Sequence, residues 1–227
     1  MTYKSPFPDV EIPNVSLPDY LFENISQWPE KPALIDGPTG RAFTYLELQS
    51  AVRSVATGLS ERGFKSGDVF AIYSPNIPEY ALAFFGVAMA GGVNTTMNPL
   101  YNAIEVRRQL LDSAAKFVVT IPQLLPVVLD AVEETAVEEV FVFGTAEGAT
   151  PFSNLLLETD DLPTVHIDPT EDVVALPYSS GTTGTPKGVM LTHRNLVANL
   201  AQTRAVEQLT PDDTLIGILP FYHIYGM

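Results

Sequence analysis

The chain reads as an α/β protein whose sheet is mainly parallel and covered by helices on both faces. Three observations predict this. Short apolar runs at residues 69–73, 117–120, 140–143 and 173–178 recur along the chain, and longer segments with helical spacing separate them. Punctuation falls between the two kinds of segment, as at Gly63, Pro78 and Gly91-Gly92. The 227 residues, 46% of them hydrophobic, supply a sizeable core.

In chain order, residues 1–18 form an irregular arm, because Pro6, Pro8, Pro13 and Pro18 oppose regular helix. Residues 20–28 read as a short amphipathic helix. Residues 33–35 and 41–43 flank Asp36-Gly37-Pro38-Thr39-Gly40, which predicts a hairpin. Thr44 with Glu47 makes a capping box. Leu48, Val52, Val55 and Leu59 then follow at helical spacing until Gly63 stops the helix. After the strand at 69–73, Pro78 opens a helix that ends near Gly91-Gly92. The alternation continues with a strand at 93–95, a helix at 104–113, a strand at 117–120, a helix at 124–135 and a strand at 140–143. Residues 144–172 are loop-rich, with one short helix near 152–157. The last buried strand, 173–178, runs into a loop of unusual composition. The acidic residues Glu133, Glu134, Glu138 and Glu139 are a solvated helix face and its exit.

Charge and composition narrow the function. A formal charge of −15, without an offsetting basic cluster, argues against nucleic-acid binding. With no cysteine in the chain, disulfides, thiolate nucleophiles and cysteine-bound metals are excluded. Residues 1–15 lack the basic start and apolar stretch of a signal peptide. The most apolar run, 80–90, is too short to span a bilayer. These features predict a cytoplasmic protein without a membrane span. An anionic nucleotide would need local backbone N–H groups, a lysine and a metal ion to be held against the overall charge.

The unusual loop is Ser179-Ser180-Gly181-Thr182-Thr183-Gly184-Thr185-Pro186-Lys187-Gly188. Glycines let backbone N–H groups approach phosphates, hydroxyls donate to phosphate oxygens, and lysine adds a mobile charge. It is not a Walker A loop, because proline precedes Lys187 and glycine follows it. The bland alternative is a surface loop, since Gly, Ser, Thr and Pro are ordinary loop residues. Downstream, Thr192 with Asn195 reads as a helix N-cap, with His193 exposed in the first turn and Leu196, Val197 and Leu200 facing inward. His223, among aromatic residues, reads either as a packed core histidine or as a catalytic one.

This loop resembles the signature of the adenylate-forming superfamily, which includes acyl-CoA synthetases, luciferases and adenylation domains. The similarity extends to Pro75-Asn76-Ile77-Pro78-Glu79, Asn98-Pro99-Leu100-Tyr101, residues 109–116, Leu191-Thr192-His193-Arg194-Asn195 and residues 219–227. These resemble the branch containing 4-coumarate:CoA ligases and luciferases, and the likeness covers the chain from about residue 43 onward.

The resemblance implies a ligase chemistry. A carboxylic acid, aromatic or fatty, attacks the α-phosphate of ATP to give an acyl adenylate, and coenzyme A then displaces AMP. Ser179, Ser180, Gly181, Thr182, Thr183, Gly184 and Lys187 would hold the triphosphate, with Thr183 toward Mg²⁺ and Lys187 on the outgoing pyrophosphate. His223 would orient the carboxylate, and Tyr225 would line the acyl pocket. Loading of a carrier protein, or a non-catalytic nucleotide-binding or interaction module, are the alternatives.

The family continues well beyond the histidine motif, so the chain is expected to be part of an enzyme and not to turn over alone. The expected organisation is an arm and the start of a second subdomain at 1–44, an α/β subdomain at 45–205, and a further piece of the second subdomain at 206–227 with a strand at 214–219. Exposed apolar surface near residue 227 is expected, with dimerisation or aggregation as consequences.

Overall fold

The computed structural model describes residues 5–157, 164–179, 186–207 and 209–227. Its centre is a seven-stranded sheet. In chain order the elements are α1 (Leu17–Phe22), β1 (Pro32–Ile35), β2 (Ala42–Thr44), α2 (Tyr45–Glu61), β3 (Val69–Tyr73), α3 (Pro78–Met89), β4 (Val93–Met97), α4 (Ala103–Ser113) and β5 (Phe117–Thr120). They continue with α5 (Leu125–Ala131), β6 (Glu139–Val142), β7 (Thr150–Pro151), β8 (Val173–Ala175), β9 (Tyr178–Ser179), β10 (Lys187–Gly188), β11 (Leu191–Thr192) and α6 (His193–Glu207). Short 3₁₀ turns occupy Ile25–Gln27 and Phe152–Leu155.

The strand order is β11-β8-β4-β3-β5-β6-β7. Only the β11–β8 pair is antiparallel; the other neighbours run parallel. The chain steps from β3 to β4 on one side and then crosses back to β5 on the other, so the sheet is wound in both directions. Residues of β3 alternate between two cores: Phe70 and Ile72 join the cluster under α2 and α3, while Ala71 and Tyr73 join the one under α4 and α5. This two-sided burial is why the strand is apolar throughout. Phe70, Phe117 and Phe141 from adjacent strands pack with ring centroids 5.6–6.4 Å apart, Phe117 edge-on to the other two, each burial stabilising the sheet by about 1.5–3 kcal/mol.

Local chemistry sets the helix ends. Thr44 accepts from the N–H of Glu47, and the Glu47 carboxylate accepts from the N–H of Thr44, closing the expected capping box. Gly63 stops that segment at φ +76°, a conformation costly for residues bearing Cβ. Asn102 and Glu105 form a second box at the start of α4.

Five expectations need correction. The helix expected at 20–28 lies earlier, at Leu17–Phe22, because Ser16 caps it and Pro18 falls in the first turn, where no intrahelical N–H is required. The helix expected at 124–135 ends at Ala131, with Glu134 at φ +60° turning the chain. The strand expected over 173–178 breaks after Ala175, since Pro177 has no N–H to donate. No strand forms at 214–219. The carbonyls of Gly217 and Leu219 are taken by a side chain, and Leu215, Ile216 and Ile218 are 70%, 87% and 81% exposed.

His193 is the fifth correction. It is completely buried, because α1 packs across the start of α6 and the Leu17 N–H donates to its Nδ1 at 3.1 Å. The N-cap itself is as expected: Asn195 N–H donates to the Thr192 hydroxyl and the Thr192 N–H to Asn195 Oδ1. Val197 is fully buried, whereas Leu200 is 39% exposed.

Candidate functional site

The described candidate residues, Ser179, Lys187, His223 and Tyr225, gather at the carboxyl ends of β3, β4 and β8, the edge where open α/β sheets bind ligands. From β8 the chain passes through Leu176 and Pro177 into a two-stranded hairpin, β9 with β10. Ser179 lies directly opposite Lys187, and Tyr178 opposite Gly188, so the pairing joins the two ends of the phosphate-type loop. Both Ser179 and Lys187 are exposed. Ser180, Gly181, Thr182, Thr183 and Gly184 lie outside the described residues.

The hairpin is tied to α4. The Tyr178 hydroxyl donates a short hydrogen bond to the Asp112 carboxylate. Burial, and then the adjacent Asp112, push the Tyr178 phenol well above its ordinary pKa, so it remains a donor across the physiological range. Beside it lies a cavity of about 250 Å³ lined by Tyr101, Glu105, Arg108, Gln109, Asp112 and Tyr178. The Val189 N–H closes the hairpin base onto the Pro177 carbonyl at 2.9 Å.

His223 and Tyr225 sit on a second segment at the same edge. The Tyr225 N–H donates to His223 Nδ1 at 3.3 Å. With Nδ1 accepting, the ring proton resides on Nε2, which is left as a donor. Tyr225 is 80% exposed, and His223 is exposed as well. The segment has no strand partner, but Asn76 grips it. Asn76 Nδ2 donates to the carbonyls of Gly217 (3.0 Å) and Leu219 (2.7 Å), while its Oδ1 accepts from the Phe221 N–H at 2.8 Å. The Phe221 ring meets Tyr80 edge-on at 5.7 Å between centroids.

Strand β4 connects the two segments. Its Asn94, Thr95 and Thr96 are fully or almost fully buried, three polar residues in succession at the middle of the sheet. Asn94 Nδ2 donates to the carbonyls of Phe84 and Val174. The Thr95 hydroxyl donates to the Leu176 carbonyl at 3.1 Å and accepts from Gln109 Nε2 at 2.9 Å. The Thr96 hydroxyl donates to the Tyr222 carbonyl at 2.8 Å. Two successive residues of one strand therefore hold the approach to the hairpin and the residue preceding His223.

Sequence reasoning did not assign roles to Asn76, Thr95, Thr96, Asp112 or His193. For β4 a signal existed: three consecutive polar residues in a strand buried on both faces are informative, because such groups are retained only when hydrogen-bonded. For Asp112 and His193 none existed, since their partners lie on distant elements. Among the described residues, no helix is long and apolar enough to cross a membrane, and no group of three or more His, Asp or Glu is placed to hold a metal ion.

A model of the AMP-binding enzyme family matches residues 21–227. The chain is 41% identical to 4-coumarate–CoA ligase 1 of Solanum tuberosum over 233 residues, covering 100% of this chain and 43% of the relative. A long-chain-fatty-acid–CoA ligase of Archaeoglobus fulgidus superposes with a TM-score of 0.90 at 32% identity, covering 99% of this chain and 46% of that one. A red-emitting luciferase of Phrixothrix hirtus, 21% identical with a TM-score of 0.86, shares the fold. The chain thus spans less than half the length of the curated relatives it matches. Because the family model matches the chain from residue 21 to residue 227, the chain belongs to the AMP-binding enzyme family.

Proposed function

We propose that this chain supplies the phosphate-gripping and carboxylate-orienting side of an ATP-dependent acid:CoA ligase. One observation carries the reading. Ser179 and Lys187 are joined across a hairpin at the carboxyl edge of the sheet, and two successive residues of β4 hold both sides there, Thr95 the approach to the hairpin and Thr96 the residue before His223. The substrate is an aromatic or fatty carboxylic acid, in line with relatives named for 4-coumarate and long-chain fatty acids.

In the first step an oxygen of the ionised carboxylate bonds to the α-phosphorus of ATP as the bond to pyrophosphate breaks, giving acyl-AMP. The thiolate sulfur of coenzyme A then bonds to the acyl carbon and expels AMP. Negative charge builds at phosphorus and on the departing pyrophosphate, where donors already in place are most effective. Lys187 neutralises pyrophosphate, assisted by Ser179, Ser180, Thr182, Thr183 and the backbone of Gly181 and Gly184. The Nε2–H of His223 donates to the carboxylate and orients it; no base is needed, because the acid is already ionised. Tyr225 lines the acyl side. Mg²⁺ accompanying ATP would screen phosphate charge, with Thr183 as its candidate contact.

The test is acid-dependent exchange of labelled pyrophosphate into ATP by the intact gene product. Lys187→Ala and His223→Ala are each expected to slow exchange by about a hundredfold. Wild-type rates in both variants would remove these residues from the mechanism. Calorimetric titration of the 227-residue chain with Mg-ATP tests nucleotide binding separately.

A further inference from the structure

We propose that Asn76 and Thr96 are positioning residues that clamp the His223 segment at the carboxyl edge of the sheet. The inference rests on the reading of His223 as the group that orients the carboxylate. Residues 209–227 form no strand; Phe221 packs against Tyr80, but Leu215, Ile216 and Ile218 before it are largely exposed, so little packing holds residues 215–218. Side-chain bonds to the backbone do so instead. The Asn76 amide directs both its donor and its acceptor at this segment, bonding Gly217, Leu219 and Phe221. Thr96 adds the bond to Tyr222, immediately before His223.

The chemistry is specific to an amide of this length. Satisfying two carbonyls and one N–H requires a group that both donates and accepts. Aspartate lacks the donors, alanine lacks both, and glutamine is one methylene too long for the same reach. The anchor also starts from a rigid place: Asn76 follows the central strand β3 by three residues, and Thr96 is inside its neighbour β4. Thr95, adjacent to Thr96, bonds the chain that leads to the hairpin, so loss of Asn76 would loosen the acid side while leaving the phosphate side attached.

Two measurements decide the matter. In the 227-residue chain, Asn76→Ala is expected to speed amide hydrogen exchange at Phe221 by about tenfold, with the core amides of Val118 and Val119 unchanged. Asn76→Asp, which keeps an acceptor but sets a carboxylate oxygen against the Gly217 and Leu219 carbonyls, is expected to lose protection at Phe221 to a similar extent. In the intact gene product, Asn76→Ala is expected to raise KM for the acid about tenfold while KM for ATP stays within about twofold, and to add nothing further in a His223→Ala background. Unchanged Phe221 exchange overturns the clamp. Equal rises in both KM values, or penalties that multiply in the double variant, overturn its action through His223. If the wild-type product shows no acid-dependent exchange, the ligase reading fails, and Phe221 exchange alone decides the clamp.

Discussion

The backbone N–H of Leu17 donates to Nδ1 of His193 at 3.1 Å, joining the first turn of α1 to the first residue of α6 across 176 positions of sequence. The imidazole is completely buried, and its Nε2 has no hydrogen-bond partner among the described residues. Burial lowers its pKa to about 4, against the opposing pull of Asp172 and Asp19.

That depression has a sign. Between about pH 4 and 6.5 the unfolded chain binds a proton at this histidine that the folded chain does not. The stabilisation is therefore complete above pH 6.5 and lost as pH falls toward 4, at a cost on the order of 3 kcal/mol. Urea unfolding at pH 7.5 and about pH 5 should show wild type losing more stability than His193→Asn, whose amide oxygen replaces Nδ1 and does not titrate. Equal losses would show that His193 is not the group responsible.

Gly58 is in the middle of α2, where alanine would ordinarily stabilise a helix by about 1 kcal/mol. Here a Cβ would lie 2.4 Å from the backbone oxygen of Leu155 and 2.8 Å from its Cα. Backbone atoms cannot swing aside. Gly58→Ala should therefore destabilise the chain by about 1–3 kcal/mol, seen as a lower Tm.

Thr95→Val keeps the shape of the side chain and removes only the hydroxyl. The Leu176 carbonyl then loses its bond from Thr95, and Gln109 Nε2 loses one of its two acceptors. A loss of about 1–3 kcal/mol is expected in denaturant titration, because these groups are buried.

Tyr178→Phe tests the attachment of the hairpin. The fold should be unaffected, since the bond to Asp112 lies at the surface. In the intact gene product, KM for ATP is expected to rise about three- to tenfold with KM for the acid nearly unchanged, the converse of Asn76→Ala.

Much of the fold was legible because it rests on local rules. The capping box of Thr44 and Glu47, the stop at Gly63 and the apolar run 117–120 each depend on a few neighbouring residues, and each stands where expected. The elements misread were those decided by partners. Residues 214–219 carry strand-forming side chains, but a strand needs a neighbour, and their carbonyls meet Asn76 instead. His193 follows an N-cap, a position usually open to water, and is buried only because the N-terminal arm crosses it.

The sequence by itself determined the α/β class, the family signature in residues 179–188 and the identity of the residues proposed for chemistry, because periodicity and motif spacing are properties of neighbours along the chain. Only the tertiary structure decided which groups hold those residues in place. Asn76 reaches Gly217 and Leu219, Thr96 reaches Tyr222, and Tyr178 reaches Asp112 across tens of positions or more. A hydrogen bond acts over about 3 Å, so it is set by how the sheet folds distant segments together and not by their separation in sequence.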